Sequence, residues 1–327
     1  MQRKIIQVAG FIFIITIAIG FIKNPFTSSY LDQIKHADIT VVKHRDKLYE
    51  EIATKAEEYN IPAQNAEIHK VWKATPGYNG IEVDIDESYK KMKAKGSFDE
   101  NLLVYRQVKP SVHLEDLKAE PIYRGHPDKP MVSFIINVAW GNEYIPDMLE
   151  TLNKYHVKAT FFLEGRWVKE NPDMAMMIVD AGHEIGNHSY THPDMSQLSA
   201  GKIREQLSKT NEVIKSVTDV TPTWFAPPSG SFKSEVIKIA DEMKMKTVMW
   251  SVDTIDWQRP EPHVLVSRVM GKVHNGALIL MHPTSSTSKS LETLILSIKQ
   301  KGYSFGSVSM LVDEERLFRD EPKTKIE

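Results

Sequence analysis

The chain has 327 residues, 41% hydrophobic and 26% charged, with 41 basic side chains against 43 acidic ones for a formal net charge of -2. That composition excludes a disordered chain, a collagen-like chain and a multi-span membrane protein, and the charge balance argues against a nucleic-acid binder, which would need a basic surplus. With no cysteine, disulfides, thiolate metal sites, cysteine nucleophiles and lipid attachment through an N-terminal cysteine are excluded too.

At the N-terminus Arg3 and Lys4 precede an apolar run from Ile5 to Ile22, interrupted only by Gln7 and Thr16 and closed by Lys23. A helix of that length at ~1.5 Å per residue reaches ~27 Å, against ~30 Å for a bilayer core, so residues 1–25 read as a signal anchor or a signal peptide. A small-x-small site, Ala18-Ile19-Gly20, lies inside the run, where a helix hides it from a peptidase; this favours the uncleaved anchor. Positive charge ahead of the span places the rest of the chain at the extracytoplasmic face of the cell membrane, or in the medium if the segment is cleaved.

Residues 26–112 read as a small α/β module. Leu48, Ile52, Ala56 and Tyr59, spaced three and four apart, predict a helix over 45–59 that Pro62 stops. Residues 71–80 carry turn chemistry, Ile81, Val83 and Ile85 alternate as in a short strand, and a second helix is expected after Asp86. Trp72, Tyr78 and Tyr89 suit either the core of that module or stacking on sugar rings. Residues 113–129 form a Pro-rich connector.

From residue 130 to 312 apolar runs alternate with helical patterns, the signature of a parallel α/β architecture. Strands are predicted at 132–138, 159–163, 184–187, 223–225, 247–252, 277–281 and 303–308, and helices at 144–155, 166–181, 201–217, 233–243, 264–272 and 290–301. Seven strands with six crossovers suit a closed or nearly closed (β/α) barrel, whose chemistry sits at the C-terminal ends of the strands. A charged tail, 313–327, follows. The strand ends carry Asn137 to Gly141, His188 to His192, Phe225 to Gly230, Asp253 to Trp257 and Leu280 to Pro283. Two histidines four residues apart in one turn can aim both imidazoles at a single metal ion.

The order of these motifs, including Ala159-Thr160-Phe161-Phe162 and the run from Gly182 to His192, resembles the polysaccharide deacetylases of carbohydrate esterase family four, with their NodB homology domain. The resemblance covers about residues 130–312. It implies a distorted (β/α) barrel of NodB type, a divalent metal, commonly zinc, held by one Asp and two His, and removal of acetyl groups from N-acetylated glycans such as chitin or peptidoglycan. Carried over by motif, His188 and His192 are the metal-binding histidines, His282 the acid that protonates the leaving amine and Asp256 the carboxylate orienting it. Leu280 lines the acetyl pocket, and Trp257 and Pro228 contact substrate.

Two motifs depart from the family pattern. Where the family has T-F-D-D-G, this chain has Asn137-Val138-Ala139-Trp140-Gly141, so Ala139 stands at the base and Trp140 at the metal-binding Asp; Ala226 replaces the Arg that holds the base. Methyl and indole groups cannot take a proton from water. Losing the base also removes the need for its Arg, which would be costly if left unpaired in a pocket. The expectation is a membrane-tethered binder of cell-wall N-acetylated glycan with lost or much weakened activity, its zinc site weak or empty. The competing expectation is an active deacetylase using a replacement carboxylate such as Glu143, or an oxygen of Asn137 or Asp194.

Overall fold

The computed structural model describes residues 46–317. The apolar run and the anchor read from it lie outside these residues; among the described ones no helix is long and apolar enough to cross a membrane. The described residues divide into two compact units, one of residues 46–57 and 84–104, the other of 58–83 and 105–317.

In the first unit, helix α1 (Lys47–Ala56) buries Leu48, Ile52 and Ala56, the stripe that its spacing predicts. Asp46 caps its first turn, and the Asp46 carboxylate accepts a hydrogen bond from the Tyr89 hydroxyl at 3.2 Å. Helix α2 (Ile85–Met92) begins at Ile85 rather than after Asp86. The Asp84 carboxylate accepts from the Glu87 N–H at 3.0 Å and so fixes the start of the helix, which also ends the preceding strand at Val83.

The second unit opens with two antiparallel pairs, β1 (Glu67–His69) with β2 (Lys73–Thr75), and β3 (Gly80–Val83) with β4 (Tyr105–Val108). Its main body is a curled parallel sheet. The strands are β5 (Met131–Val138), β6 (Thr160–Leu163), β7 (Glu184–Asn187), β8 (Trp224–Phe225), β9 (Lys246–Thr247), β10 (Val252–Asp253) and β11 (Ala277–Met281), in the order β10-β11-β5-β6-β7-β8-β9. β12 (Ser304–Phe305) also pairs with β5. All eight residues of β5 are buried, as befits a central strand covered on both faces. Val132, Phe134, Ile136 and Val138 join the core beneath the helices, while Met131 and Ile135 join Leu278, Leu280, Phe162 and Val248 in a second cluster.

The predicted strand over 247–252 is two short strands at opposite edges of the sheet. Between them the backbone turns to Ile122: its N–H donates to the Thr247 carbonyl at 2.9 Å, and its carbonyl accepts from the Met249 N–H at 2.8 Å. The two sheet edges are therefore consecutive in sequence, which gives the barrel-like curl. The helices are α3 (Ile145–Lys154), α4 (Gly165–Glu170), α5 (Pro172–Asp180), α6 (Ala200–Thr218), α7 (Ser234–Glu242), α8 (Pro262–Met270), α9 (Ser285–Gln300) and α10 (Val308–Val312). The single helix expected over 166–181 is broken at Asn171, because Pro172 has no N–H to donate and restricts the residue before it. The last predicted strand, 303–308, keeps only Ser304–Phe305, since Ser307 caps α10.

Candidate active-site cleft

The C-terminal ends of β5, β7, β8, β10 and β11 surround a cavity of about 470 Å³. His188, His192, Leu280, Trp257 and His282 line it, as the motifs predict, and Ala139 and Trp140 form part of its wall. Pro228 does not: it is buried beside Ser229, which does reach the cavity. Trp250 and Gly230 also line the cavity. Trp250 carried no sequence signal because it sits inside the apolar run 247–252, where a bend in the backbone turns it toward the cleft.

Asp256 lies just behind the wall, fully buried. Its Oδ1 accepts from His282 Nδ1 at 2.8 Å, and its Oδ2 accepts from the His282 backbone N–H at 2.5 Å and from the Thr287 hydroxyl at 2.6 Å. This fixes both the ring plane and the tautomer of His282, leaving Nε2 for the cavity.

His188 is 1% exposed, and its Nδ1 donates to the Ala226 carbonyl at 2.8 Å. Burial, with the neighbouring His192 adding to it, pushes its pKa down to about 3, so at neutral pH it is an uncharged imidazole. Burial also lowers His192. The two rings meet edge to face with centroids 5.0 Å apart. They are held by a tight turn: the Ser189 N–H donates to Asn187 Oδ1 at 2.8 Å, and the Ser189 hydroxyl accepts from the His192 N–H at 3.1 Å.

On the facing loop, Trp140 is 47% exposed and stacks on His282, with centroids 5.9 Å apart and planes 8° from parallel. The next residue, Gly141, has φ +84°, and a Cβ there would come 2.0 Å from the Pro283 carbonyl oxygen. Only glycine permits this approach, so the loop after β5 is clamped to the loop after β11. Glu143, the replacement carboxylate weighed from the sequence, is exposed on the short 3-10 turn Asn142–Tyr144 and does not line the cavity. Asp194 is likewise exposed and engaged by Ser196 and Ser231.

A divalent metal of the family type needs a third protein ligand beside the two imidazoles. The side chain at that position is an indole, and among the described residues no group of three or more His, Asp or Glu is placed to hold an ion. The donor set does not fit a three-ligand centre. It does retain the orientation such a centre uses, with one ring nitrogen of His188 tied to a backbone carbonyl.

Residues 124–248 match the family model for polysaccharide deacetylases. Over 205 residues the chain is 30% identical to the peptidoglycan-N-acetylmuramic acid deacetylase PdaA of Bacillus subtilis (strain 168), covering 61% of this chain and 78% of PdaA. The chain belongs to the polysaccharide deacetylase family.

Within the family it is 58% identical over 319 residues to the uncharacterized protein YlxY of Bacillus subtilis (strain 168), covering 98% of this chain and 100% of YlxY. Among solved structures, BA3943, described as a CE4 family pseudoenzyme from Bacillus anthracis, is 60% identical and superposes with a TM-score of 0.77 over 83% of this chain and 96% of that one. A BA3943 mutant described as having restored enzymatic activity is 59% identical, with a TM-score of 0.77 over 83% and 99% of the two chains.

Proposed function

We propose that this protein is a polysaccharide deacetylase homologue that has given up hydrolysis and holds N-acetylated cell-wall glycan at the extracytoplasmic face of the membrane, tethered by its N-terminal apolar segment. The observation that carries the reading is the wall of the cleft. His188 and His192 face Ala139 and Trp140, where neither side chain can bind an ion or accept a proton, and Ala226 stands where an Arg would hold a base. Among the described residues Asp253 is the one carboxylate lining the cavity, and its Oδ1 is engaged by the Ile255 N–H at 2.8 Å.

The acid half of the site is intact. His282, oriented by Asp256, would hand a proton to a leaving nitrogen in a family enzyme; here it is left with no activated water to work against. The likeness to BA3943, a pseudoenzyme whose mutant regained activity, supports the same reading. The likeness to PdaA supports peptidoglycan as the glycan class. The replacement-carboxylate reading draws no support from Glu143, which lies outside the cleft.

The test is acetate release from N,N′,N″-triacetylchitotriose and from purified peptidoglycan, with added zinc and with a chelator. The expected result is no release above background in either condition, alongside measurable glycan binding. Metal-dependent release abolished by His282→Ala would overturn the proposal.

A further inference from the structure

The residue that removes the metal ligand also builds something. Trp140 lies nearly parallel to His282, so part of one indole face is covered, while the residue as a whole is 47% exposed and lines the cavity. Trp257, on the loop after β10, lines the same cavity and is 56% exposed. Large aromatic side chains left open to water at a concave site are the exception in a folded protein and mark binding surfaces. The platform is also preorganised, because Gly141 packs against the Pro283 backbone and ties the Trp140 loop to the loop that bears His282. A rigid aromatic surface loses little freedom when a ligand settles on it.

The ligand chemistry follows from the shape of the platform. β-Linked sugars of the gluco configuration carry their substituents equatorially, so their axial C–H bonds form flat apolar faces that match an indole. Hydroxyl and acetamide groups around the rim of such a ring need polar partners, and Ser229 and Asp253 line the same cavity.

We propose that Trp140 is the positioning residue of a carbohydrate-holding site, in which a pyranose ring of a β-linked N-acetylhexosamine chain stacks on its indole. This rests on the non-catalytic reading above and goes beyond it: the substitution that disables the metal centre is itself the source of binding. Trp257 provides a second aromatic surface on the same cleft.

The experiment measures binding of N,N′,N″-triacetylchitotriose to the full-length chain by calorimetry, for wild type, Trp140→Ala and Trp140→Phe, with melting temperatures recorded to confirm folding. Loss of one aromatic stacking partner is expected to weaken binding about tenfold in Trp140→Ala, whereas Trp140→Phe stays within about threefold of wild type. Saturation-transfer NMR provides an independent readout: the axial ring protons of the bound sugar should be the most strongly saturated in wild type and lose that pattern in Trp140→Ala. Equal affinity of wild type and Trp140→Ala overturns the inference while leaving the non-catalytic reading standing. Tighter binding by Trp140→Ala would show that the indole is a plug, and also overturns it. No binding by any form overturns the glycan-holding reading together with the inference.

Discussion

Asp256 and His282 are joined twice, once through the imidazole Nδ1 at 2.8 Å and once through the backbone N–H at 2.5 Å. His282 shares its cavity with Ala139 and Trp140, so what the pair contributes to the fold is a question separate from chemistry. Asp256 is fully buried and satisfies three donors at once, from His282 and Thr287. Removing it strands all three.

The first prediction follows directly. Asp256→Ala should destabilise the protein by about 2–4 kcal/mol, because buried donors are left without an acceptor. Thr287→Val, which removes a single donor, should cost about 1 kcal/mol. Urea unfolding of both variants checks the ranking; equal effects would assign the stabilisation elsewhere.

Stability should fall on mild acidification. His188 titrates at about 3 in the fold, and His126 and His183 at about 4, each pushed down chiefly by burial from an ordinary value of 6.5. The unfolded chain therefore binds more protons between about pH 4 and 6.5, so the stability these groups contribute is complete above about pH 6.5 and is lost as pH falls through that window. Each can contribute a slope of up to about 1.4 kcal/mol per pH unit. Melting temperatures between pH 7 and 4.5 should drop, and His183→Gln should flatten the profile, since a glutamine keeps an acceptor for the Ala159 N–H but does not titrate. An unchanged profile in that variant would contradict the assignment.

Restoring the missing groups should restore chemistry. Ala139→Asp, Trp140→Asp and Ala226→Arg together would place a base, a third ligand and a base-holding Arg beside His188, His192 and His282. Loss of a general base alone typically costs about 10²- to 10⁴-fold, so wild type should lie below detection while the triple variant releases acetate in a metal-dependent manner. Metal analysis after dialysis should find about one zinc per chain in the variant and a small fraction of that in wild type. Stoichiometric zinc in dialysed wild type would refute the expectation.

Gly141→Ala tests the clamp between the two loops. Gly141 and Gly96 both have positive φ, +84° and +71°, but a Cβ at Gly141 meets the Pro283 carbonyl oxygen at 2.0 Å, whereas a Cβ at Gly96 meets nothing within 4 Å. Gly96→Ala should cost about 1 kcal/mol for backbone conformation alone, and Gly141→Ala clearly more. Thermal denaturation of the two variants separates the collision from the conformational cost.

The sequence carried much of this fold because its apolar runs are sharply bounded. β7 and β11 fall on the predicted residues, the first opened by Gly182-His183 and the second by Asn275-Gly276. Where a strand is interrupted by a distant partner, periodicity has nothing to report: Ile122 pairing with Thr247 and Met249 splits one apolar run into two strands. The same blindness applies to the cleft. His188, His192, Asp256 and His282 were legible from motif and strand end. The contact of Trp140 with His282 joins loops that are distant in sequence, and no local pattern encodes it. Pro228 was expected at the substrate through its motif but packs inside, since the tight turn with Ser229 at φ +53° presents Ser229 to the cavity instead.

The position of β5 in the sheet has a consequence for how the chain is made. β5 pairs with β6 along one side, but on the other its partner is β11, with Ala277 to Met281 registered against Val132 to Ile136. As the polypeptide emerges in order, the longest strand of the sheet waits with an open edge until residues 277–281 have been synthesised. Such a delay slows assembly and leaves a template for mispairing with other chains. Truncations that stop before β11 should consequently aggregate rather than persist as partly folded barrels, which makes the stretch from Ala277 onward a guardian of solubility as well as the carrier of His282.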